Sequence, residues 1–254
     1  MNDRPPAYYS RLAPFARLFL TGCPILTYHH VGPRTPGARL KGLYLSPNLF
    51  RRQLGELQDA AFSIGPSPFP DSLATAGPQR RIFLTFDDGF KDVFDHAFPI
   101  LLERRVSALL FLVSDLLGKT NEWQQRMGDI REPLMDEAQV RDWLAAGQEI
   151  GAHTKSHPRL TQLAPAAARE EIGGCKKSLE DRFGLPIKHF CYPYGDWNES
   201  VRDLVCEAGY QTACTTDFGV NSSTTPVLSL KRITARYPSR NLKSIWSRLR
   251  AGGW

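Results

Sequence analysis

Seven short apolar segments, most of them separated by amphipathic helical stretches, constrain this chain more than any other feature. They read PILTYHHV, RIFLTFD, VSALLFLV, QEIGAH, KHFCYPYG, YQTACTT and VLSLKRIT. Near-continuous apolar strands suit a sheet covered on both faces. Strands that alternate with helices pair in parallel through crossovers. Several intervening helices carry their own punctuation. Ser46 and Pro47 open SPNLFRRQLGELQDAAF, whose Leu49, Leu54 and Leu57 fall on one face. Asp136 caps DEAQVRDWLAAG, and Gly147 lies just past its end. DVFDHAFPILLERR carries Pro99 as an expected kink. APAAAREEIGGCKKSLEDRFG is weakened at Gly173-Gly174 and stopped by Gly184, and NESVRDLVCEAG ends at Gly209. NLKSIWSRLR reads as a closing helix, residues 65–79 as a Pro-rich loop, and residues 114–135 as a long excursion over one end of the sheet. Seven such units in 254 residues predict a single domain built as a (β/α)7 barrel, with an open doubly wound sheet as the alternative.

Composition excludes several classes. Hydrophobic residues make up 42% and charged residues 23%, enough for a large core without disulfide staples. Lys and Arg total 32 against 26 Asp and Glu, and the formal charge of +6 is scattered, so no dense nucleic-acid footprint is expected. Five cysteines without a C-x-x-C pair read as reduced thiols. The apolar runs near the N-terminus are broken by Pro14, Arg17 and Pro24, which predicts neither a signal peptide nor a membrane span. The expected location is cytoplasmic, with residues 8–20 as a peripheral membrane contact. No Gly-rich phosphate loop follows any strand, which removes the usual nucleotide readings.

In a parallel barrel the functional groups gather at the C-terminal ends of the strands. Four of those ends are polar: Tyr28-His29-His30, Asp87-Asp88-Gly89, His153 running into HTKSH, and Tyr192-Pro193-Tyr194-Gly195. His153 and His157, four apart, project to one side of a turn or short helix. Two imidazoles and one carboxylate make a divalent-metal triad with an open position, and Asp88 is the third ligand. The donor set suits zinc first, and also cobalt, nickel or ferrous iron. Adjacent side chains on an extended strand point to opposite sides. One carboxylate of the Asp87-Asp88 pair can therefore ligate a cation while its neighbour faces water activated by it.

TFDDG (85–89), HTKSH (153–157) and YPYG (192–195) resemble, in order, the first three motifs of the NodB-homology polysaccharide deacetylases, carbohydrate esterase family 4. The similarity covers about residues 80–254 as the catalytic region, and the strand and helix within residues 1–79 resemble the N-terminal part of many members. It implies a distorted (β/α)7 barrel and metal-dependent removal of N-acetyl, or sometimes O-acetyl, groups from a glycan. Carried over by motif, Asp87 is the general base and Asp88, His153 and His157 are the ligands. The backbone N–H of Tyr194 serves the oxyanion, and Gly195 lets the backbone approach the substrate. Tyr192, Tyr194, Trp197 and Trp123 are expected near the mouth, where sugar rings stack on aromatic faces, and Lys91 and Arg159 are candidates for meeting anionic groups on a polymer. The chain departs from the family pattern in three places, one of them the absence of a D-x-x-D-W fourth motif. Cys191 stands where an arginine usually orients the base, and LSLKRI stands where a histidine acid is usual. His29, or His30, is then the proton donor, and Arg232 lies either at the substrate or beside Asp87 in place of the missing arginine. Hydrolysis of a non-sugar C–N amide and a non-catalytic carbohydrate-binding barrel are the competing readings.

Overall fold

The structure is a computed structural model that describes residues 5–65, 80–125 and 128–236. The expected closing helix therefore lies outside the described residues, as does the Pro-rich stretch beyond Gly65. Ten strands are present among them: β1 (Ile25–Tyr28), β2 (His30–Val31), β3 (Tyr44–Leu45), β4 (Ser63–Gly65), β5 (Arg81–Phe86), β6 (Leu109–Leu112), β7 (Glu149–Ala152), β8 (His189–Cys191), β9 (Thr212–Phe218) and β10 (Leu230–Thr234). Seven of them close a ring in the order β1, β5, β6, β7, β8, β9, β10 and back to β1, every pair parallel. This is the (β/α)7 barrel, and the open sheet is excluded by the β1–β5 and β1–β10 pairings. β4 adds an eighth strand outside the ring, against the first residues of β5.

The side-chain alternation of the strands divides the core in two. Ile25, Phe83, Leu109, Phe111, Cys191, Cys214 and Leu230 fill the bore. Leu26, Leu84, Phe86, Leu110 and Leu112 point the other way and join the larger layer under the helices. Period-two alternation in strands buried on both sides produces both sets from one apolar run.

The expected helix punctuation is present. Pro47–Asp59 starts at Ser46, whose hydroxyl accepts from the Leu49 N–H, and it buries Leu49, Leu54 and Leu57. Glu137–Ala145 starts with a reciprocal cap between Asp136 and Gln139. Pro99 does not bend a single helix. A wide turn over Val93–Ala97 precedes Phe98–Arg104 and absorbs the N–H that proline lacks. The weak middle at Gly173-Gly174 behaves likewise: Pro165–Arg169 and Cys175–Phe183 are joined by a wide turn over Glu170–Gly174. The first predicted strand is broken at His29, where β1 ends and β2 leaves the barrel to pair with β3. No helix of the described residues is long and apolar enough to cross a membrane.

Candidate metal and acid–base centre

Strand register assembles the mouth. Tyr28 of β1 is the partner of Phe86 of β5, so the next residues, His29 and Asp87, emerge side by side. His29 Nε2 lies 3.8 Å from Asp87 Oδ2. Leu112 of β6 pairs with Ala152 of β7, which brings His153 to the same rim. Asp87 continues the inward set of Phe83 and Thr85. Asp88 leaves the extended conformation altogether, with φ 74°. The two carboxylates are therefore not separated by strand alternation, as the sequence reading supposed. A left-handed turn folds the second one back onto the mouth, and Gly89 (φ 76°) continues it.

The two histidines meet on a turn, one of the two devices the spacing allowed. No helix joins them. Thr154 (φ 68°) and His157 (φ 64°) are both left-handed, and the Thr154 hydroxyl accepts from the His157 N–H at 3.0 Å. Glu171, from the wide helical turn, accepts from the Lys155 and Ser156 N–H groups at 2.9 Å each and from the Ser156 hydroxyl. Non-glycine residues held at positive φ cost about 1–3 kcal/mol where the conformation is strained. Four of the six in the described chain, Asp88, Thr154, His157 and Tyr194, lie at this site.

The atoms that converge are of metal-ligand type, two imidazole nitrogens and a carboxylate oxygen. His153 Nδ1 lies 2.7 Å from the Cys191 carbonyl. A carbonyl only accepts, so Nδ1 carries the proton, and in a neutral imidazole Nε2 then presents its lone pair. That Nε2 is 3.3 Å from Asp88 Oδ1, and His157 Nε2 is 3.2 Å from the same oxygen. Asp88 Oδ1 is buried and has no hydrogen-bond donor. All three residues are buried, with ligand atoms within 4.8 Å of one another. Lone pairs facing each other in a low-dielectric pocket repel unless a cation lies among them. On this ground Asp88, His153 and His157 fit a divalent cation.

Asp87 is held differently. Arg232, itself buried, donates from Nη1 and Nη2 to the two carboxylate oxygens at 2.7 Å each. Its remaining donors reach the Thr215 carbonyl, the Thr85 hydroxyl and Cys191 Sγ. Burial works against the Asp87 anion, but the Arg232 charge and hydrogen bonds outweigh it and hold the carboxyl below its usual range. Burial lowers the pKa of His29, against the pull of Asp87 and Asp88.

The remaining expected residues separate into facing and supporting groups. Arg232 has almost no exposed surface and contacts no open face of the mouth, so it braces Asp87 and is not a substrate contact. Tyr192 is likewise a correction. Its ring is wholly buried, and its hydroxyl donates to the Leu228 carbonyl. Gly195 (φ 67°) approaches β9 closely, where a Cβ would meet Thr216 Oγ1 at 2.0 Å. The half-buried Tyr194 sets its ring edge-on to His157 with centroids 4.6 Å apart, and Trp197 stacks on Tyr192. Trp123, from the 114–135 excursion, stacks on His157 at 4.4 Å. His30 turns away from Asp87 and lies between Asp92 and Glu132. Sequence reasoning missed Glu171 and the Cys191 carbonyl. Nothing in their residue type announces them: Cys191 acts through its own backbone, and the Glu171 carboxylate serves the N–H groups of Lys155 and Ser156 from a distant helical turn.

A family model for polysaccharide deacetylases matches residues 74–213. A putative polysaccharide deacetylase of Bacillus subtilis, YxkH, is 26% identical over 155 residues, which cover 61% of this chain and 51% of that protein. A chitooligosaccharide deacetylase of Bradyrhizobium is 28% identical over 137 residues, 51% of this chain and 53% of that one. The chain thus spans about half the length of these curated relatives. Among solved structures, the Streptococcus pyogenes deacetylase PplD in complex with acetate superposes with a TM-score of 0.73 at 25% identity, over 89% of this chain and 97% of that one. IcaB from Ammonifex degensii has the same fold, with a TM-score of 0.72 at 24% identity over 91% and 96% of the two chains. The family match runs through β5, β6, β7 and β8, which carry both aspartates and both histidines to the mouth, and by its extent the chain belongs to the polysaccharide deacetylase family.

Proposed function

We propose that this chain removes acetyl groups, N-acetyl above all, from an amino-sugar glycan or glycoconjugate. Asp88, His153 and His157 would hold a divalent cation, zinc by the preference of a two-imidazole, one-carboxylate set. Such a cation polarises the acetyl carbonyl and lowers the pKa of water beside it. The observation that carries the proposal is Asp87: a buried carboxylate, kept ionised by a two-pronged arginine, next to a cluster of converging lone pairs. A binding module has no use for such a group, whereas hydrolysis needs a base there.

Asp87 takes a proton from the attacking water. Arg232 fixes the plane of that carboxylate and leaves it little freedom to swing toward the cation. His29 Nε2, beside Asp87 Oδ2, is the donor to the departing amine. Its lowered pKa makes the imidazolium a stronger acid once it is charged. The N–H of Tyr194 serves the developing oxyanion, and the faces of Tyr194 and Trp197 receive the sugar. The non-catalytic reading drew on the missing arginine at the third motif and the missing histidine at the fifth. Arg232 brings a guanidinium to the same carboxylate from another strand, which supports turnover. Reduced thiols at Cys175, Cys191, Cys206 and Cys214 favour a cytoplasmic location.

Acetate release from N-acetylglucosamine oligomers tests the proposal, with the protein stripped by chelator and then reloaded separately with zinc, cobalt, nickel or ferrous iron. Release that returns with metal is the expected result. No release from any acetylated sugar after reloading, with release from simple amides, transfers the chain to the non-sugar reading.

A further inference from the structure

We propose that Arg159 is a specificity-determining residue that directs this site to glycans bearing an anionic group, a carboxylate or a phosphate, beside the acetylated sugar. The inference rests on the deacetylase reading and names its substrate class.

Three cationic side chains follow the polar strand ends. Two are already neutralised. Lys91 reaches both oxygens of Asp95, at 2.8 and 2.6 Å. Lys155 pairs with Glu170 at 2.6 Å and lies 3.9 Å from Asp115. Arg159 is exposed, and among the described residues no carboxylate oxygen comes within ion-pair distance of it. Its guanidinium carbon lies instead 4.3 Å from the centroid of the Tyr194 ring. Stacking engages one face of the planar group and leaves the N–H donors around its edge free to meet a planar or tetrahedral anion.

The charge is also held in place. Its neighbours His157 and Leu160 are buried on either side of it in sequence. Thr161 ties the segment to the next loop through its N–H and hydroxyl, both donating to Asp196. Tyr194, the platform, is itself fixed in a left-handed backbone and abuts the ring of His157. Arg159 therefore stands two ring contacts from the proposed ligand set, with Tyr194 between it and His157. An ordinary surface arginine spends conformational entropy to pair with an anion. Here stacking has already spent much of it, and the chain's formal charge of +6 adds a general attraction.

The test compares zinc-loaded wild type with Arg159→Gln and Arg159→Lys on three oligomers of equal length: neutral N-acetylglucosamine, one bearing a lactyl carboxylate and one bearing a 6-phosphate. The readout is the ratio of kcat/KM on a charged oligomer to that on the neutral one, so a general disturbance of Tyr194 cancels. Wild type is expected to favour a charged oligomer by about tenfold, the scale of one charge-assisted hydrogen-bonded contact. Arg159→Gln should bring the ratio to near unity, Arg159→Lys should keep part of it, and added salt should lower it in wild type. The larger of the two ratios tells carboxylate from phosphate. A wild-type ratio near unity, or one that Arg159→Gln leaves unchanged, overturns the inference while leaving the deacetylase reading intact. Absence of acetate release from all three oligomers rejects the deacetylase reading instead. Calorimetric affinities for the same oligomers then decide the inference: a charged-over-neutral preference lost in Arg159→Gln supports it, and equal affinities reject it.

Discussion

Two clusters at one end of the barrel have nearly the same composition and opposite chemistry. One contains Asp87, Asp88, His153 and His157. The other contains His30, Asp92 and Glu132 with Tyr44 and Thr35. Both bury a histidine among carboxylates. In the second, Glu132 accepts from the Thr35 hydroxyl at 2.6 Å on one oxygen and from the Tyr44 hydroxyl on the other. His30 lies 2.9 Å from Asp92 and 3.2 Å from Glu132, and its ring is stacked between Tyr44 and Phe90. Both oxygens of Glu132 thus have hydroxyl donors. In the first cluster Asp88 Oδ1 has no donor and two imidazole nitrogens aim at it. Residue type does not separate a clamp from a reaction centre. What separates them is the central carboxylate: both oxygens of Glu132 accept hydroxyl donors, although Asp92 Oδ1 and His30 Nε2 beside it lack hydrogen-bond partners, whereas Asp88 Oδ1 accepts from none.

The largest effect should come from the unsatisfied cluster. Asp88→Ala is expected to remove bound metal, read by elemental analysis, and to lower kcat/KM by at least about 10³-fold, as loss of essential groups does. Metal retention at wild-type level would break the comparison at its first term. Asp87→Asn should retain the metal and lose about 10²- to 10⁴-fold in kcat, the range for a general base. Arg232→Met leaves the Asp87 charge buried and unpaired, so denaturant unfolding should show a loss of about 3–5 kcal/mol. An unchanged midpoint would mean that Asp87 is neutral in the folded chain. Glu132→Gln tests the satisfied cluster. Two donors would face an amide in place of an anion, for a loss of about 1–3 kcal/mol, with metal content unchanged. If Glu132→Gln instead released the metal without loss of stability, the two clusters would be one functional unit.

The smallest effect concerns the loops around the clamp. Asp129 accepts from the N–H groups of Arg39, Leu40 and Ile130 and so fastens the segment after β2 to the 114–135 excursion. Desolvation opposes its anion, but these three N–H bonds, aided by the Arg39 charge, outweigh it and hold its carboxyl below the usual value. A depressed folded pKa stabilises above the unfolded value of about 3.9 and is lost as the pH falls through the folded value. Hydrogen exchange at residues 39, 40 and 130 should therefore quicken below about pH 4 in wild type. Asp129→Asn should show fast exchange at every pH. Slow exchange in that variant would place the fastening elsewhere.

Much of the architecture was legible. Apolar runs of strand length, Ser46 and Asp136 as caps and Gly184 as a stop are local signals, and each acts within a few residues of itself. The polar strand ends were legible because a parallel barrel sends all of them to one rim. Strand alternation at Asp87-Asp88 was the wrong device, and the spacing of His153 and His157 works through a turn and not a short helix. Left-handed turns do that work, and Asp, Thr and His do not announce φ > 0 as glycine does. Tyr192 was legible as an aromatic residue near the mouth but not as a buried one, because the strand end and the following turn decide which way its ring points.

The sequence alone determined the alternation of strand and helix, and with it a parallel sheet, since periodicity and capping are encoded residue by residue, while the pairings of β1 with β5 and β10 decided that the sheet closes. It also determined which residue types stand at the strand ends, and hence that a carboxylate–imidazole chemistry was available. Only the tertiary structure decided which carboxylate is satisfied. Arg232 reaches Asp87 across 145 positions of sequence, and His30 and His29, neighbours in the chain, part at the break between β1 and β2. Burial and hydrogen-bond satisfaction belong to the packed interior as a whole, and no local pattern records where a distant guanidinium will lie.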